Sequence, residues 1–229
     1  MKAPILDVFF DLDHTLWDFE KNSALTFEKI LHKNNIDVDP VKFVAHYVPI
    51  NYKYWELFRE DKITRDELNY GRLNETFSRL NITVEIEILT SLTKDYIHFL
   101  PEHNHLFEGA LELLDYLKPK YNLHIITNGF HEVQTHKLNN SNLTSYFKTI
   151  TNSESAGVKK PNPIIFEYAL SQANAKKESS IMIGDCINAD VLGALNCGID
   201  AILFSEIPQI LEDKNIKQIK YLLDLKKYL

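Results

Sequence analysis

Cysteine is scarce in this chain: Cys186 and Cys197 are the only two among 229 residues. So few thiols supply neither a disulfide framework nor a four-cysteine zinc site, and a reducing cytoplasm is the expected compartment. Long apolar runs are missing as well. No stretch is long enough to span a membrane. The opening Met1–Phe10 carries Lys2 and Asp7 and lacks the apolar length of a signal peptide. Extended Lys/Arg runs are absent and the formal charge is −7, which argues against a broad basic surface for a nucleic-acid polymer. A small anionic partner stays open, because local cations or a bound metal would receive it. No internal repeat and no low-complexity linker interrupts the chain. Its 45% hydrophobic and 25% charged content is that of a folded globular protein. The length allows a substantial core, either as one domain with an insertion or as two small domains.

What is present begins with an apolar run, Val8-Phe9-Phe10, that stops at Asp11-Leu12-Asp13-His14-Thr15-Leu16. The run reads as a strand, and the two acids then sit at its C-terminal edge, where open α/β sheets build their sites. Carboxylates this close repel and raise each other's pKa, so a divalent cation or a shared proton is the expected compensation. An aspartate so placed can also act as a nucleophile, dividing one hard displacement into two easier ones.

From Trp17 to about Leu100 the chain reads as successive helices with no convincing strand. Ala24, Phe27, Ile30 and Leu31 share one helical face. Thr64 to Glu67 has the pattern of a capping box, opening a helix that carries Leu68, Leu73, Phe77 and Leu80. A third stripe joins Ile88, Leu89, Leu92, Tyr96 and Phe99. Pro49 is expected to kink or divide the helical stretch from Val41 to Arg59. After Pro101 short buried strands alternate with helices. Leu123–Ile126 ends in Thr127-Asn128-Gly129, Thr149 and Ile150 suggest a short strand, and Ser180–Ile183 ends in Gly184-Asp185. Ala201–Phe204 is the last of these strands. Asn162 before Pro163 reads as a helix start, and Asn188 as the cap of a later helix. This alternation predicts an α/β fold, a doubly wound parallel sheet with right-handed crossovers. The first strand belongs to that sheet, so the helical block is an insertion: residues 1–16 and 101–229 form the core and 17–100 a helical domain.

Four strand ends or neighbouring loops carry reactive groups: Asp11 with Asp13, Thr127, Lys160, and Asp185 with Asp190. Taken one at a time, each also fits a turn, a solvated loop or a favourable helix N-terminus. In order and context together they resemble the four motifs of the haloacid dehalogenase (HAD) superfamily of phosphatases, over a stretch from about Ile5 to Phe204. The resemblance implies a Rossmann-like core with an inserted α-helical C1 cap that closes over the catalytic face and excludes water. It implies Mg²⁺ held by Asp11, the Asp13 backbone carbonyl and Asp185, with Asp190 supporting the metal's water shell or Lys160. Asp11 would attack phosphorus and form an aspartyl-phosphate, while Asp13 would protonate the leaving alkoxide and later deprotonate water. Thr127 and the backbone amides of Asn128 and Gly129 would hold phosphate oxygens. Lys160, which directly precedes proline as the family lysine does and is preferred over Lys159, would offset their charge. The second acid favours phosphatase or mutase chemistry over dehalogenation, because a halide leaves without a proton.

Closer wording appears in Ile125-Ile126-Thr127-Asn128-Gly129-Phe130, in Gln134-Thr135-His136-Lys137-Leu138 and in the segment from Ser153 to Pro161. These are similar to the YjjG-type pyrimidine 5′-nucleotidases and, more distantly, to N-acylneuraminate-9-phosphatases. The expected substrate is a small phosphorylated metabolite, a nucleoside 5′-monophosphate first and a sugar phosphate as the alternative. In the cap, Asn51, Trp55 and Arg72 are candidates for a specificity pocket, with Trp55 able to stack on a base. Against that, Trp55 also fits bundle core and Arg72 a solvated helix face. Gly71 is unexpected inside its helix. A phospho-receiver module also combines Asp, Thr, Lys and Mg²⁺ on a parallel sheet, but two acids directly after the first strand and a large helical insertion argue against it.

Overall fold

The computed structural model describes residues 3–211 and 213–229. The chain divides into two compact units, Met1–Asp18 with His105–Leu229, and Phe19–Asn104.

The first unit is built on a six-stranded parallel sheet in the order β3-β2-β1-β4-β5-β6. The strands are β1 (Asp7–Phe10), β2 (Asn122–Thr127), β3 (Thr149–Asn152), β4 (Ser180–Gly184), β5 (Asp200–Phe204) and β6 (Lys217–Ile219). Every residue of β1 and β4 is buried. A sheet covered on both faces calls for near-continuous apolar runs, and Val8-Phe9-Phe10 and Ile181-Met182-Ile183 supply them. Phe10 lies in register with Ile125 of β2 on one side and Ile183 of β4 on the other. The strand order reverses at β1, so the C-terminal ends of β1, β2 and β4 form the crevice where such sheets bind ligands. One face of the sheet packs Phe9, Ile126 and Met182 against Ile165, Phe166 and Ala169. The helices of this unit are α5 (Ala110–Leu117), α6 (His131–Asn140), α7 (Ser153–Ala156), α8 (Pro163–Ala173) and α9 (Gly193–Asn196). Ile165, Phe166 and Ala169 belong to α8, and the Asn162 side chain that caps it accepts from the Ile164 N–H at 3.0 Å.

The second unit comprises α1 (Phe19–Lys33), α2 (Pro40–Arg59), α3 (Arg65–Arg79) and α4 (Ile86–Phe99). Asp39 caps α2, and α3 opens with the Thr64–Glu67 capping box, reciprocal bonds that satisfy the first free N–H groups. Its core is aromatic: the Phe27 ring lies 4.8 Å from Phe43, 4.4 Å from Tyr47 and 4.8 Å from Tyr96.

Several expectations need correction. Pro49 lies inside a continuous α2, which overturns only the division of that stretch. Ile88 is exposed although it matches the apolar stripe of α4. Gly71 has a packing reason, since a Cβ there would stand 2.3 Å from Cε1 of the Tyr54 ring. Asn188 lies within a π-helical turn, Ile187–Leu192, whose cap is Cys186; the Cys186 Sγ accepts from the Ala189 N–H at 3.4 Å. The short strand β6 and the four-residue helix α7 (Ser153–Ala156) carry too few residues to show a periodicity.

Candidate active site

Asp11 directly follows β1, and its N–H donates to the Ile183 carbonyl of β4 at 2.9 Å, which continues the sheet ladder for one more residue. The chain then turns tightly. The Leu12 carbonyl accepts from Leu16 N–H at 3.0 Å and Trp17 N–H at 2.9 Å, and His14 takes a left-handed conformation with φ 61°. That turn returns Thr15 toward the sheet, where its hydroxyl stands 3.5 Å from Asp185 Oδ1.

Lys160 arrives from the loop after α7, and Asn128 fixes its backbone from both sides. The Asn128 Nδ2 donates to the Lys160 carbonyl at 3.0 Å, and the Lys160 N–H donates to Asn128 Oδ1 at 2.7 Å. So anchored, the buried Lys160 Nζ meets Asp11 Oδ1 at 2.7 Å, Asp190 Oδ1 at 2.7 Å and the Ile126 carbonyl at 2.6 Å. Asp190 Oδ2 accepts from the Cys186 N–H at 2.9 Å. Burial pushes the Asp11 carboxyl up to about 7; Lys160 pulls against that rise while Asp190 and Asp13 add to it. Asp185 is raised well above the usual carboxylate range, first by burial and then by Asp190 and Asp11. Burial works against the Lys160 ammonium too, but Asp11 and Asp190 more than reverse it and hold the lysine above its ordinary pKa.

Carboxylate oxygens of Asp11, Asp185 and Asp190 lie within 4.8 Å of one another. One lysine against three acids leaves the cluster short of positive charge, and its donors are all oxygen. That set fits a hard divalent cation.

Thr127 ends β2. Its Oγ1 accepts from the Gly129 N–H at 3.1 Å and from Gln134 Nε2 at 2.7 Å. The Asp13 carboxylate is held by two residues that the motif reading did not assign: Lys137 Nζ at 2.6 Å from Oδ1 and Gln134 Nε2 at 2.9 Å from Oδ2. Both belong to α6 (His131–Asn140) and both are buried. Their sequence signal is polar residues three apart, beside Val133 and Leu138, at positions on the inward side of a helix.

The structure therefore brings Asp11, Asp13, Thr127, Lys160, Asp185 and Asp190 to one end of the sheet, with Asn128 and Gly129 beside them. Asn51, Trp55 and Arg72 lie in the helical unit. Arg72 is only 5% exposed, which corrects the solvated-face alternative. Its guanidinium donates to Asn51 Oδ1 at 2.9 Å and Asn69 Oδ1 at 3.0 Å, and lies 5.1 Å from the Tyr96 ring. Trp55 is half-buried rather than core, its ring edge-on to Phe58 at 5.7 Å.

The sequence pattern of the haloacid dehalogenase-like hydrolases matches residues 8–204. The pyrimidine 5′-nucleotidase PynA of Streptococcus pneumoniae is 32% identical over 216 residues, 93% of this chain and 89% of PynA. The pyrimidine 5′-nucleotidase YjjG of Escherichia coli is 32% identical over 193 residues, 84% of this chain and 82% of YjjG. Among solved structures, the magnesium-bound HAD-hydrolase YfnB of Bacillus subtilis matches with a TM-score of 0.89 at 29% identity, covering 99% of both chains. Since the family match runs from β1 through β5 and takes in every strand end that carries a reactive group, the chain belongs to the haloacid dehalogenase-like hydrolases.

Proposed function

We propose that this hydrolase is a Mg²⁺-dependent phosphomonoesterase that works through an aspartyl-phosphate, with pyrimidine nucleoside 5′-monophosphates as its substrates. The observation that carries the reaction class is the pair Asp11 and Asp13 at the switch point of the sheet, one held by Lys160 and the other by Lys137. Phosphoryl transfer needs positioning and charge neutralisation above all, and the two carboxylates have separate environments for separate tasks.

An Asp11 carboxylate oxygen bonds to phosphorus as the ester P–O bond breaks. The leaving oxygen takes a proton from the Asp13 carboxyl, which becomes a carboxylate. Water then attacks the same phosphorus, gives its proton to Asp13, and releases inorganic phosphate and the Asp11 carboxylate. The Lys160 ammonium offsets the charge of Asp11 and of the phosphoryl oxygens, and the Thr127 hydroxyl donates to one of those oxygens. Mg²⁺ held by Asp11, Asp185 and the Asp13 backbone carbonyl would add charge neutralisation on the phosphoryl group. Asp190, with its oxygens on Lys160 and the Cys186 N–H, supports the site through that lysine.

The substrate class rests on the similarity to PynA and YjjG. Base recognition falls to Asn51, Trp55 and Arg72 of the helical unit. Phosphate release from a panel of nucleoside 5′-monophosphates and sugar phosphates tests both levels. Turnover with Mg²⁺, lost in EDTA and regained on Mg²⁺ but poorly on Zn²⁺, supports the reaction, and preference for uridine and thymidine monophosphates supports the substrate. Metal-independent release overturns the first, and a sugar-phosphate preference overturns the second.

A further inference from the structure

Helix α6 presents Gln134 and Lys137 three residues apart, on one face and one turn from each other. Lys137 Nζ meets Asp13 Oδ1 at 2.6 Å, and Gln134 Nε2 meets both Asp13 Oδ2 at 2.9 Å and Thr127 Oγ1 at 2.7 Å. We propose that these two side chains form a clamp that positions the Asp13 carboxyl for proton transfer and sets the Thr127 hydroxyl as a donor to the phosphoryl group. The proposal rests on the reading of Asp13 as the acid and base of a phosphomonoesterase.

Both amide hydrogens of Gln134 are used. A side-chain amide nitrogen has two, and Gln134 places one on Asp13 and one on Thr127. Against the Asp13 carboxylate, the swapped amide would set its oxygen toward Asp13 Oδ2, acceptor against acceptor, so the ionised form selects this orientation. Thr127 Oγ1 then receives two donors, Gln134 Nε2 and the Gly129 N–H, which leaves its own proton to be donated elsewhere. Asp13 is gripped at both oxygens.

Burial separates anchor from working end. Gln134 is 1% and Lys137 2% exposed, whereas the Asp13 side chain is 21% exposed. Hydrogen bonds made away from water hold geometry more firmly than exposed ones. The Lys137 ammonium, costly to bury alone, also lies 4.2 Å from the Trp17 ring, within the same turn that carries Asp13. Gly129 makes room for the clamp: a Cβ there would stand 2.3 Å from Gln134 Nε2. A bridge that merely docked α6 would contribute stability alike to every reaction. A positioning bridge acts where a proton must be delivered.

The two residues differ in which reacting group they touch, and the test uses that difference. Purified full-length Lys137→Met, Lys137→Arg, Gln134→Leu and Asp13→Asn are assayed with Mg²⁺ on phosphate monoesters ranging from alkyl to activated aryl leaving groups, with Tm measured for each. The Lys137 ammonium bonds Asp13, the group that is to deliver the proton. Lys137→Met should therefore lower kcat/KM by roughly 10- to 100-fold on alkyl esters and by less than about 3-fold on activated aryl esters, with Lys137→Arg recovering part of the alkyl rate. Gln134→Leu should show the same tilt on top of a loss common to all substrates, because it also releases Thr127. Equal losses across the series for folded Lys137→Met, or unchanged rates, overturn the clamp. Should Lys137→Met not fold, Gln134→Leu decides by the same tilt. Asp13→Asn separates the two ideas: if it shows the leaving-group tilt and the clamp variants do not, only the clamp fails. If Asp13→Asn shows none, the acid–base reading falls and the clamp with it.

Discussion

Lys160 shows how one side chain can hold two acids together. Its ammonium is shared between Asp11 and Asp190 in a setting with almost no solvent. Removing one partner of a buried ion pair leaves the others uncompensated, so Lys160→Met is expected to lower stability by about 3–5 kcal/mol. Chemical denaturation of the purified variant measures it, and a change within about 0.5 kcal/mol, the range of an ordinary surface substitution, would contradict the buried pairing. Asp11→Asn, in contrast, keeps the shape while removing the proposed nucleophile. Turnover should fall to background with the fold intact by circular dichroism, and near-normal turnover would sink the aspartyl-phosphate.

At the scale of elements, the fold follows local rules that can be perturbed singly. Thr64 accepts from the Glu67 N–H at 3.2 Å and Glu67 returns a bond to the Thr64 N–H at 2.7 Å, closing the start of α3. Thr64→Ala should cost about 1 kcal/mol, read as a lower Tm with catalytic constants on activated aryl esters unchanged. The sheet carries a buried polar link of its own. His124 of β2 bonds Asp7 of β1 at 3.3 Å and Thr149 of β3 at 2.8 Å, and its ring stacks on Phe9. Burial lowers the His124 pKa, with Asp7 opposing. A histidine held below its ordinary value favours folding while neutral. Its contribution is therefore present above about pH 6.5 and is lost as pH falls through the folded-state pKa. Asp11 and Asp185, raised by burial, push stability the other way as pH rises. The difference in Tm between wild type and His124→Asn isolates the histidine: it should shrink from pH 7.5 to 5.5, and a constant difference would refute the assignment.

Across the whole molecule, the proposed chemistry lies in the α/β unit and the proposed base recognition in the helical unit. A substitution in the second can then change specificity without touching the first. Trp55→Ala should lower kcat/KM for pyrimidine monophosphates while sparing a small aryl phosphate. A half-buried ring makes large destabilisation unexpected, so Tm should move little. Uniform loss on both substrates with a lowered Tm would leave Trp55 as packing alone.

Strands β1 to β5, the helical insertion, the Thr64 and Asn162 caps and the acids at strand ends were legible from the sequence, because each depends on residues a few positions apart: a short apolar run, a helical period, a cap, a turn. The stripe of α4 misled at Ile88 because periodicity marks a face without saying how far the neighbouring helix extends over it. The pairing of β1 with both β2 and β4, which makes the crevice, joins Phe10 to residues 125 and 183 and required the fold. So did the burial of Arg72 of α3 against Asn51 of α2 and Tyr96 of α4, the packing of Tyr54 over Gly71, and the reach of Lys137 and Gln134 to Asp13. Lysine, arginine and glutamine are long, flexible and polar, and their sequence context admits a solvated end as readily as a buried one. Only the position of a distant carboxylate or amide selects between the two, and that position is a property of the tertiary structure.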